Sequence, residues 1–99
     1  MVLDKKSKGK ENMKFDWEDF KTSNDIAINC ETEEEAIDFC KKMHEHGMKW
    51  SIGSSYLEVT YWEIYEEGKI CYTSDGTATD LEYCKNYGYT VLEWSDYME

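Results

Sequence analysis

Fifteen aromatic rings in a chain of 99 residues, with no proline at all, set the first limit on what this sequence can fold into. Four Trp, eight Tyr and three Phe supply far more apolar surface than an acidic disordered polymer carries, so one packed core is expected. Without proline, every turn has to rest on Gly, Asn, Asp or Ser. A domain this small cannot bury all of its rings, and at least one of Trp62 and Tyr65 is expected to stay accessible.

Charge is sorted by position. Residues 1–14 carry five lysines against Asp4 and Glu11 and read as a basic, flexible tail. Residues 15–99 carry six lysines against twenty carboxylates, a formal charge of −14, and the chain has no arginine. These residues are expected to form a single acidic domain. Within the tail, Gly9-Lys10-Glu11-Asn12-Met13 can be encoded by purine-rich codons that contain a ribosome-binding sequence, which would make the tail a translated leader and Met13 the start. No run approaches the roughly 20 apolar residues of a membrane span, and the basic start lacks the apolar segment of a signal peptide. A cytoplasmic protein is expected, with Cys30, Cys40, Cys71 and Cys84 as buried, reduced thiols.

The pattern along the body alternates strand and helix signals. Phe15, Trp17 and Phe20 could open a short helix or lie against the domain as an arm. Ile26, Ile28 and Cys30 recur at strand period. Thr32 followed by Glu35 is a capping box, and Ala36, Phe39, Cys40 and Met43 form a helical stripe ended by Gly47, which predicts a helix over 33–46. Short strands are expected at 48–52, 69–73 and 89–94, with a helix from Asp80 to Tyr87 ended by Gly88 and a loop at Asp75-Gly76-Thr77. The stretch 56–65 fits neither period cleanly. Cys30 and Gly47 are echoed 41 residues later by Cys71 and Gly88. These elements predict an α+β fold, a two-layer sandwich with a mainly antiparallel sheet of four or five strands and two helices on one face. A β-α-β-β-α-β order is one way to build it.

Chemistry-bearing motifs are sparse. No serine or cysteine has a nearby histidine and elbow motif, and Thr73 stands where a phosphatase motif ending in Asp75-Gly76-Thr77 needs its nucleophilic aspartate. No glycine loop for phosphate is present, and an enzyme is not expected. Cys40, His44 and His46 are the best metal candidates, with Cys84 as a further ligand from elsewhere in the chain; Cys40 and His44 share a helix face, but the half-exposed histidine and buried thiol also suit an ordinary amphipathic helix. Neither a cofactor nor a metal is assigned. Trp50, Tyr56, Tyr61, Trp62 and Tyr65 could stack a base or anchor an interface, although Trp50 is better read as core.

Three stretches carry a resemblance: Asn29 to Ala36, His44 to Trp50, and Tyr87 to Tyr97. Together they are similar to small, uncharacterised accessory proteins encoded by phages and prophages of low-GC Gram-positive bacteria, across roughly residues 26–98. The resemblance hands over no catalytic residues. It implies a protein that works inside a bacterial host cell, disabling host defence or redirecting a host enzyme.

A body this acidic repels nucleic acid and anionic lipid at long range, so neither direct nucleic-acid nor membrane binding is expected. The reading that follows is a non-enzymatic inhibitor that binds a basic host protein surface, with DNA mimicry as one mode. Its contact residues would be Glu31, Glu33, Glu34, Asp38, Trp62, Glu63, Tyr65, Glu66 and Glu67. An alternative is a binder that sequesters a nucleotide immune signal, between subunits of a homo-oligomer, with Trp62 or Tyr65 stacking a base and Lys49 or Lys69 meeting phosphate. A zinc-stabilised interaction module is the other alternative.

Overall fold

The computed structural model describes residues 14–98, so the basic tail before Lys14 and the start at Met13 lie outside the described residues. Helix α1 (Trp17–Thr22) is capped by Asp16, whose carboxylate accepts from the Asp19 amide, and it buries Phe20. Strand β1 (Ile26–Asn29) follows, then helix α2 (Glu33–Glu45), then an irregular stretch with one 3-10 turn at Trp62–Ile64. Strand β2 (Ile70–Thr73), strand β3 (Ala78–Asp80), helix α3 (Leu81–Asn86) and strand β4 (Thr90–Glu93) complete the order, with a 3-10 turn at Trp94–Asp96.

The fold is a compact α+β domain with a four-stranded sheet ordered β3-β2-β1-β4. Two pairings are antiparallel, and the β1–β4 pairing is parallel. Register puts Ala78, Tyr72, Ile28 and Leu92 in one row across the sheet. That row joins Ala36, Phe39, Cys40 and Met43 of α2 and Phe20 of α1 in the main core. Two helices therefore share one face, and they are α1 and α2. The intervening residues reach the other face, where Ala27 and Cys71 pack with Cys84 of α3.

Local chemistry explains the element ends. Thr32 Oγ1 accepts from the Glu35 amide at 3.2 Å, and Glu35 Oε1 accepts from the Glu31 amide at 2.9 Å, closing the α2 start. At the other end Gly47 adopts φ 80 and Met48 N donates to Met43 O, a six-residue closure that α3 repeats with Gly88 at φ 79 and Tyr89 N donating to Cys84 O. The glycine half of the 41-residue echo is thus a repeated helix-stop motif, whereas Cys30 and Cys71 pack in different core clusters.

The β-α-β-β-α-β order is present, but with one strand exchanged. Residues 48–52 form no strand: Gly53 N donates to Trp50 O and Trp50 N to Ser54 O, which curls the segment into a turn. Its place is taken by β3, a three-residue strand too short and polar to signal itself, paired to β2 across the Asp75-Gly76 turn. The ambiguous stretch 56–65 is mostly irregular, fixed by side chains: Trp50 Nε1 donates to Val59 O at 2.9 Å and the Tyr72 hydroxyl to Thr60 O at 2.6 Å. No helix among the described residues is long and apolar enough to cross a membrane.

Candidate functional site

The clearest candidate site is an acidic face built where two distant segments meet. Asn29, buried at the end of β1, donates through Nδ2 to the carbonyls of Gly68 at 3.0 Å and Ile70 at 3.1 Å. That side chain pins the turn after Glu66-Glu67 beside the start of α2. The backbones pass close enough that a Cβ on Gly68 would lie 3.6 Å from the Glu31 carbonyl oxygen. Glu31, Glu33, Glu34, Glu66 and Glu67 are all exposed. Capping requires acidic residues at the positive end of α2, and the fold then sets a second acidic turn against them.

Glu93 extends this face from β4, opposite Asn29 in the parallel register. Burial, followed by the nearby carboxylates of Glu31, Asp96 and Glu35, pushes its carboxyl above the usual range, and Lys85 only partly opposes this. Its Oε1 is buried with no hydrogen-bond partner among the described residues. Counter-cations are scarce: Lys69 Nζ to Glu82 at 3.9 Å is the one ion pair among the described residues.

Other expected contact residues take different places. Asp38 is half-buried, and its Oδ2 accepts from Trp94 Nε1 at 2.7 Å, which ties α2 to the C-terminal turn. Trp62 is half-buried against the main core. Tyr65 is half-buried too, and its hydroxyl donates to Ala78 O at 3.0 Å. Glu63 is exposed in the 3-10 turn between them. The most exposed rings are instead Tyr87 and Tyr83, 69% and 47% accessible, which pair at the C-terminal end of α3, where Tyr87 is the cap, with centroids 4.5 Å apart. Their four-residue spacing on a helix was the available signal.

The residues weighed as metal candidates do not converge. Cys40 lies in the main core and Cys84 in the cluster on the opposite face, while exposed His46 stacks on Trp17 at 4.1 Å. Among the described residues, no three His, Cys, Asp or Glu side chains are grouped to hold a metal ion. All four cysteines are free and buried, and burial pushes Cys40 and Cys71 up to about 12. Such thiols are poor nucleophiles.

The groups expected to hold a nucleotide are also apart. Lys49 borders one recess with His44 and Ser55, Tyr65 lines another, and Lys69 is engaged by Glu82. No protein-family model, curated protein or solved structure matches this chain significantly.

Proposed function

We propose that this domain is a non-catalytic binding protein that docks on a basic surface of a host protein and inhibits it, in the manner of a phage accessory protein. The observation that carries the reading is the Asn29 side chain, which holds the acidic turn at Glu66-Glu67 against Glu31 and the α2 start. A like-charged juxtaposition opposes folding, and the chain spends a buried asparagine on keeping it. Exposed carboxylates with few counter-cations among the described residues attract lysine- and arginine-rich surfaces at a distance and accelerate encounter. A protein channel that binds nucleic acid presents such a surface, which makes DNA mimicry the favoured mode.

The test uses the full chain immobilised and challenged with host extract at low and high salt. Proteins retained through this face should elute with rising salt and be displaced by duplex DNA. Replacing Glu31, Glu66 and Glu67 together by lysine should abolish that retention. Equal retention by the lysine variant would sink the proposal.

A further inference from the structure

Next to the acidic turn lies a recess of about 250 Å³ that the charge argument leaves unused. Trp50, Ile52, Tyr61, Ile64, Tyr65 and Ala78 form its walls. Ile52 and Ile64 stand 74% and 67% exposed at its lips. Two branched aliphatic side chains left in water around one concavity differ from the scattered apolar residues of an ordinary surface.

The recess is preformed. Ser51 N donates to Gly76 O at 2.9 Å, fastening one wall to the β2–β3 turn, and the Tyr65 hydroxyl fastens the other to β3. Tyr61 is held at φ 62, the one non-glycine residue with positive φ among those described, with its ring edge-on to Trp50 at 4.7 Å. A tyrosine in the left-handed region is costly and persists only where its surroundings hold it.

Size and charge narrow the occupant. Pockets for small molecules and cofactors run from about 300 to 1,000 Å³, so this one is undersized for a nucleotide and suits one side chain. The carbonyl of Ala78 on edge strand β3 is already taken by Tyr65, which discourages an added strand there and leaves side-chain insertion. Residues 50–80 carry Glu58, Glu63, Glu66, Glu67, Asp75 and Asp80 against Lys69 alone, and Lys69 is tied to Glu82. A guest with acidic flanks is repelled, and so is a second copy of this acidic domain.

Resting on the reading of the acidic face as a protein-binding surface, we infer that this recess takes one aliphatic or aromatic side chain from a partner polypeptide whose flanking residues are Lys or Arg. The carboxylates supply long-range attraction, and the recess reads the anchor.

The probes are short lysine-flanked peptides that differ only in a central Leu, Phe or Ala, titrated against the full chain by fluorescence anisotropy. Leu and Phe peptides should bind at least roughly tenfold tighter than the Ala peptide, the yield of burying one such side chain. Ile64→Asp should erase that difference. Because it adds a carboxylate, attraction by charge alone would strengthen binding instead. Ile52→Asp, on the opposite lip, gives an independent variant at another exposed position.

Salt-sensitive binding of all three peptides with equal affinity would overturn the recess and leave the acidic face standing. Absence of salt-sensitive binding by any peptide would overturn both. Displacement of the Leu peptide by a cyclic dinucleotide, or self-association abolished by Ile64→Asp, would assign the recess to another occupant and overturn the inference.

Discussion

Tyr56 and Tyr72 lie in the same core, both fully buried, yet the same deletion should cost stability only at Tyr72. The Tyr72 hydroxyl donates to Thr60 O at 2.6 Å, and Tyr72→Phe strips that carbonyl of its partner in a half-buried place. Losing such a bond costs about 1–2 kcal/mol. The Tyr56 hydroxyl is buried with no partner among the described residues. Tyr56→Phe removes a desolvated polar group and no bond, so it should be neutral or gain up to about 1 kcal/mol. Both rings stay, with Trp50 at 4.5 Å from Tyr56 and 5.9 Å from Tyr72, so packing is held constant. The assay is urea unfolding of the two variants. With an m-value of about 1 kcal/mol/M for so small a domain, their midpoints should separate by about 2 M. If Tyr56→Phe loses as much stability as Tyr72→Phe, its hydroxyl has a partner in solution and the polar description of this core is wrong.

Gly76→Ala should be the harshest single-methyl change: φ is +84, and the added carbon would stand 2.6 Å from Ser51 N. The left-handed backbone alone costs about 1–2 kcal/mol, so a fall in melting temperature of about 10 °C or more is expected in a thermal scan. Asp38→Ala removes a charge-assisted bond to Trp94 and should cost about 1.5–3 kcal/mol by chemical unfolding, with loss restricted to stability if Asp38 plays no part in binding. Glu93→Gln should stabilise the domain near neutral pH, by an amount reduced by solvent screening at this partly open site. Its carboxyl is raised in the fold, so the native state gains stability as pH falls through that raised value, and the advantage of glutamine should vanish below about pH 4. A constant advantage down to pH 3, read by urea midpoints, would contradict this origin. A thiol reagent at mildly alkaline pH should label none of the four cysteines until denaturant is added; rapid labelling of one would show that its burial is lost in solution.

The helix α2 could be read from the chain because its cap, its stripe and its stop all lie within one local window from Thr32 to Gly47. Strand β4 was legible for a similar reason, through Leu92 and Trp94 at period two with Val91 on the other face. What escaped depends on contacts between distant residues. Trp50 looked like part of a strand, but its indole bonds the carbonyl of Val59 and its segment turns back on itself. Strand β3 is only three residues long and exists because the Gly76 turn presents it to β2. The acidic face was half visible: the abundance of carboxylates was plain, whereas the meeting of Glu31 with Glu66 and Glu67 needed the Asn29–Gly68 bond across 39 residues. The bond from Trp94 to Asp38 was not legible, because helical spacing cannot distinguish a flank that faces solvent from one that reaches Trp94.

The parallel pairing of β1 with β4 also decides when this domain can exist during synthesis. Strand β1 leaves the ribosome early, yet its neighbour on one side is the last strand of the sheet. The ring of Trp94, just after that strand, closes over Phe15 at 5.3 Å and Phe39 at 4.7 Å. Through most of elongation the growing polypeptide therefore carries an open strand edge and an unroofed aromatic cluster, both attractive to chaperones and proteases. Nothing resembling a half-domain is available along the way. A polypeptide ending before Trp94 would lack the ring that closes over Phe15 and Phe39, and should be degraded faster than one that carries it.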